Sequence, residues 1–194
     1  MGLDAEKKQG QETPALDRAG EPPKRERNWE VWKTIEAGGR SVQALTRDLE
    51  QTGIYFHKYA LKMTRSADFV TLSTQEQISL VRLKVSDLGF GPLPPTLDQI
   101  YQKARELGLD LCPPEVGLEL RLKFDGRPGE RLYVGMKQID LPDEEDLHQL
   151  QPHVFALERD KYNGKKDGIK LIGTVLTSSL HRDLGDEFVF RLRK

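Results

Sequence analysis

Seven side chains in the second half of the chain have the types and spacing of a polyanion-binding surface. They are Arg121 and Lys123, then Arg131, Tyr133 and Lys137, then Arg191 and Arg193. Each group lies in a run where apolar and polar residues alternate: LELRLKF at 118–124, RLYVGMKQI at 131–139 and FVFRLR at 188–193. A period of two places successive side chains on opposite faces of a strand. If Leu80, Leu118, Leu120, Leu122, Leu132, Val134 and Phe190 face a core, the seven share the outer face. Clustered cations around an aromatic ring suit a phosphate backbone and a stacked base. Arg82 and Lys84 join them only if Val81, Leu83 and Val85 are the inward side of their own strand. The plainer reading is an antiparallel sheet with one solvated, charged face, and Glu119 on the same run supports it.

A second group could do hydrolytic chemistry. His148, His153 and His181 with Asp143, Asp146 or Asp183 have the donor types of a His/carboxylate metal site. Glu158 and Asp160, with Lys161, add carboxylates near a strand end. Their spacing matches no helix or hairpin ligand pair, so a small metal-dependent phosphodiester hydrolase is the alternative reading. Cys112 follows a helix C-terminus, whose dipole opposes a thiolate, and its apolar neighbours predict a buried structural cysteine. Glu115 reads as an ion-pair partner for Arg121, and Gly117 as a bulge. There is no GxGxxG, GxxxxGK[ST] or GxSxG, so nucleotide-loop and nucleophile-elbow chemistry has no support, and no cofactor is expected.

The elements that must position these groups fall out in order. Residues 1–27 hold six acids and six bases, no aromatic residue and almost no large apolar one, which predicts a disordered arm. Trp29 and Trp32 mark the start of a single α+β domain over 28–194. Ser41 caps a helix with Val42, Leu45 and Leu49 on one stripe, and a second helix is expected over 54–63. Ile78–Val85 alternates as a strand. Thr96 and Gln99 form a capping box for a helix carrying Ile100, Ala104 and Leu107, closed by Gly108. After Pro113-Pro114, the runs at 118–124 and 131–139 predict a hairpin across Gly126–Gly129. An acidic loop over 140–152 precedes three strands at 154–159, 168–176 and 188–193, the first two paired across Asn163-Gly164. The sum is a mainly antiparallel sheet of about five to six strands with two or three helices.

The net charge of −1 over 194 residues gives no global attraction to nucleic acid, so such a partner needs a local patch. A lone cysteine, the lack of a signal peptide's apolar run and the lack of a membrane-length apolar run predict a cytoplasmic protein without a membrane partner.

The runs Leu88-Gly89-Phe90, Ile100-Tyr101, Glu106-Leu107-Gly108-Leu109, Leu111-Cys112-Pro113, Glu115-Val116-Gly117 and Leu120-Arg121-Leu122 resemble a family of small uncharacterised bacterial proteins. The 134–139 strand and Phe188-Val189-Phe190-Arg191 resemble it too, while 161–181 departs from it. Some members carry a helicase label, for which this chain is too short and lacks the phosphate loop. The expectation is a non-enzymatic binding or regulatory module, with nucleic acid or an acidic protein as its partner.

Overall fold

The computed structural model describes residues 27–51, 56–159 and 168–194. Residues 1–26, nearly all of the expected arm, lie outside them, as do Ile54 at the expected start of the second helix and the Asn163-Gly164 turn. The chain runs β1 (Lys33–Ala37), α1 (Val42–Gln51), α2 (Lys58–Thr64), β2 (Glu76–Lys84), a 3-10 turn (Val85–Leu88), α3 (Leu97–Glu106), β3 (Leu109–Asp110), α4 (Glu115–Lys123), β4 (Arg131–Val134), β5 (Ile139–Pro142), β6 (Leu150–Arg159), β7 (Ile169–Val175) and β8 (Glu187–Leu192). This is an α+β fold on one mixed sheet. Among the described residues it has more strands than alternation alone suggests, because β1, β3 and β5 are short and flanked by irregular chain.

β1 pairs β2, β2 pairs β8, β8 pairs β4 and β4 pairs β6. β7 runs along the other edge of β6, and β5 extends the edge where β4 leaves off. The β4–β8 pair is parallel and the others are antiparallel. The local signals agree with this frame where they are capped. Ser41 Oγ accepts from the Ala44 amide at 3.2 Å, and Thr96 and Gln99 exchange bonds of 3.3 and 2.8 Å at the start of α3.

The main correction concerns residues 118–124. Residues 118–123 form the body of helix α4 and Phe124 ends it in extended backbone, so the run is not a strand and the expected hairpin with 131–139 does not exist. Leu, Glu, Arg and Lys are strong helix formers, and Pro114 suits a helix start better than a strand start. Glu115 in the first turn and Arg121 and Lys123 in the last also suit the helix dipole. The period-two look of LELRLKF arises because α4 is buried nearly all round, from Glu115 to Arg121, so no solvent-facing stripe marks its period.

α4 touches α1, β1, β6 and β7, so the sheet bends round it and brings both flanks onto one helix. Gly117 makes the approach possible. A Cβ there would stand 2.8 Å from the Phe155 ring and 3.0 Å from its Cβ. Gly173 in β7 likewise lets α2 lie close, since a Cβ there would stand 2.8 Å from the Tyr59 backbone.

The register shows why apolar positions do not sort into one inside. Ile35, Ile78, Leu80, Leu132, Val134, Phe155, Leu157 and Val189 share the α4 face. Val81, Leu83, Tyr133, Ala156, Phe188 and Phe190 share the other. That second face is covered by α3, whose Tyr101 ring meets Phe190 edge-on at 6.0 Å. Phe190 therefore points away from Leu80, Leu132 and Val134, and both faces carry core. The run at 131–139 is also two strands, broken at Gly135–Gln138.

Candidate functional site

The seven cationic and aromatic candidates do not share a face. Arg121 is buried on α4 and donates from Nη2 to the Ile169 carbonyl at 2.6 Å. Lys123 is exposed at the end of α4, and its carbonyl accepts from Lys33 Nζ at 2.8 Å. Arg131 and Tyr133 lie on the α3 side of the sheet, Arg191 on the α4 side. Tyr133 is buried, stacked on Phe188 at 5.2 Å with the Arg182 guanidinium 4.6 Å from its centroid. Lys137 is exposed between β4 and β5.

Most of these charges are also matched by carboxylates. Arg131 Nε donates to Glu158 at 2.8 Å, Arg191 grips Glu76 through two bonds of 3.0 Å, and Arg193 bonds Asp110 at 2.6 Å. Arg82 donates to Glu187 at 2.6 Å and pairs Glu130 as well. The Arg191 and Arg193 bonds hold the Glu76 and Asp110 carboxyls below their ordinary range. A phosphate at these cations would have to displace the carboxylates they already hold, which offsets part of what the new contact contributes.

The hydrolytic candidates are equally dispersed. His148 and His181 are exposed, while His153 is buried on β6. Its Nδ1 lies 2.7 Å from the Gln151 carbonyl, so that nitrogen carries the proton, and burial lowers the ring's pKa. Asp143 accepts from the amides of Glu145 at 2.7 Å and Asp146 at 3.1 Å, which makes it a loop staple. Glu158 is held by Arg131, and Asp160 lies outside the described residues. No group of three or more His, Cys, Asp or Glu side chains among the described residues could hold a metal ion. Cys112 is buried, and desolvation pushes its thiol up to about 12.

Glu115 does not pair with Arg121. It is fully buried, with Oε1 accepting from the Leu72 amide at 3.1 Å and Oε2 without a hydrogen-bond partner among the described residues. Burial raises its pKa, and the nearby charges of Glu119 and Glu76 push the same way. A raised acid binds more protons folded than unfolded, so its contribution falls as pH climbs through the folded-state pKa. Glu115→Gln is therefore expected to raise Tm relative to the native chain at pH 8. The gain should shrink as pH drops toward the ordinary carboxylate range, and calorimetry across that interval reads it directly.

The site that the sequence reading passed over lies between α1 and α2. It is an open groove of about 590 Å³ with a mixed lining. Val42, Leu61, Ala67 and Phe69 give it apolar surface, and Gln43, Thr46, Thr64 and Ser66 give it polar groups. Arg47, Arg65 and Glu50 also line it, all three exposed, so its charged groups are two cations and one carboxylate. Among the described residues neither guanidinium has a carboxylate within ion-pair distance, unlike Arg40, which pairs Asp48. The signal was present in α1: Gln43, Thr46, Arg47 and Glu50 follow 3/4 spacing opposite buried Leu45 and Leu49. No described helix is long and apolar enough to cross a membrane. Comparison of the chain with family models, curated proteins and solved structures gives no match.

Proposed function

We propose that the chain is a binding module and that it takes an acidic protein segment in the α1–α2 groove. The observation that carries this reading is the contrast in charge pairing. The sheet arginines are tied to carboxylates, whereas Arg47 and Arg65 flank an apolar floor and, among the described residues, have no carboxylate within ion-pair distance. A guanidinium binds a carboxylate through two parallel bonds, and those charge-assisted contacts are stronger than neutral ones. The apolar floor adds burial for a partner side chain, and the groove's volume is in the range of ligand sites. Ten-residue α1 is about 15 Å long, room for about four or five extended residues. Nucleic acid fits less well, because stacking needs an open aromatic ring and Phe69 is buried.

Panning a random-peptide phage library on the full chain tests this. Acidic peptides with apolar residues should enrich, and Arg47→Glu with Arg65→Glu should remove that enrichment while leaving the far-UV circular dichroism unchanged. Enrichment of basic peptides, or of acidic ones that ignore the double variant, contradicts the reading. Tight binding of single-stranded oligonucleotides that is lost in the double variant would move the function to nucleic acid.

A further inference from the structure

A second depression, of about 440 Å³, lies on the other side of α2 against β5 and the 143–149 loop. Leu141 and Pro142 form its apolar wall, and Leu147 stands beside them with 74% of its surface exposed. Arg65 and Ser66 line both depressions. Within α2, Leu61 and Thr64 line the first depression, and Lys62, about 100° round the helix from Leu61, lines the second. Arg65, the C-cap, and Ser66 just past the helix end lie between them and line both. The end of α2 is thus a cationic ridge between two troughs with apolar walls.

We infer that the two troughs form one surface for an extended segment with an apolar anchor at each end and acidic residues between. This rests on the proposed function and specifies the partner's sequence. The first anchor sits on Leu61 and Phe69, the acidic residues meet Arg47 and Arg65 on the ridge, and the second anchor packs on Pro142 and Leu147. A helix body is about 10 Å across and an extended chain advances about 3.3 Å per residue, so the anchors stand about three or four residues apart. The carboxylates of the second trough set the direction of charge. Lys58 and Lys62 bond Glu144 at 2.6 and 3.0 Å, and Asp143 is engaged by Gln151 and loop amides. Those cations are spoken for, so acids beyond the second anchor meet only like charge. The partner is acidic between its anchors and not after them.

Fluorescence anisotropy with two labelled peptides tests the inference on the full chain. One carries Leu-Asp-Asp-Asp-Phe, and the other holds the same residues with Leu and Phe adjacent. The spaced peptide should bind about tenfold tighter or better, a gain of the size one well-buried anchor supplies. Leu147→Asp, a change at an exposed position, should bring the two peptides to parity. Arg47→Glu should weaken both alike. Equal affinities in the native chain, or a Leu147→Asp variant that keeps the preference, overturns the two-trough partner. If Arg47→Glu still weakens binding in that case, the α1–α2 groove stands without its extension. Absence of binding by either peptide removes both readings.

Discussion

Phe155→Ala should cost about 3–5 kcal/mol of folding stability, as truncation of a fully buried aromatic ring in a core generally does. The ring is the surface on which α4 rests, touching the space over Gly117, and it meets Phe69 edge-on at 6.0 Å. Gly117→Val should also destabilise, by about 1–3 kcal/mol for the overpacked core. If 118–124 were a strand, a valine just before it would be neutral or favourable. The double variant separates the alternatives further. Valine at 117 grows into the space that the ring vacates, so the pair should be less damaging than the sum of the single changes. Residues in contact commonly couple by about 0.5–3 kcal/mol. Urea unfolding of the four proteins of the cycle measures it, and strict additivity would mean that α4 does not rest on Phe155.

Local chemistry was readable wherever an element closes on itself. The Thr96–Gln99 capping box, the Ser41 cap and a strand over 78–84 all depend on neighbours in sequence, and the structure keeps them, while Val85, expected in that strand, opens the 3-10 turn. The long-range arrangement was not. A sheet cored on one face hides alternate residues, but this sheet is covered on both, so Leu80 and Phe190 are equally buried on opposite sides. A basic residue opposite a leucine then says nothing about a shared outer face. Arg191 sits on the α4 side and Arg131 on the other. For α4 the helix signals were in the sequence, namely a proline at the start, strong helix formers and charges matched to the dipole. They were outvoted by alternation because a helix without a solvent face loses its 3.6-residue signature. The groove was missed for a different reason. Arg47 and Arg65 are far apart along the chain, and only the packing of α1 beside α2 brings them to one rim.

The second large effect is the loss of peptide affinity when the groove's guanidinium groups are neutralised. Each carboxylate–guanidinium contact contributes about 1.5–3 kcal/mol when it is well formed, which is about tenfold or more in affinity. Removing both should leave the acidic peptide at background. Changing Arg47 and Arg65 to Gln removes the charge and the guanidinium fork and leaves a shorter, neutral side chain that still hydrogen-bonds, so the loss in affinity reports the charged fork rather than polarity alone. Both positions are exposed, and neither guanidinium is part of an ion pair among the described residues, so folding stability should stay within about 0.5 kcal/mol.

Titration calorimetry of the Leu-Asp-Asp-Asp-Phe peptide compares the rival sets of cations most directly. The native chain, Arg47→Gln with Arg65→Gln, and Arg131→Gln with Arg193→Gln would be measured side by side at low salt. Binding should vanish in the groove pair and stay within about twofold of native in the sheet pair, whose cations already hold carboxylates. Retention of binding by the groove pair, with loss in the sheet pair, would contradict the assignment and return the contact surface to the sheet.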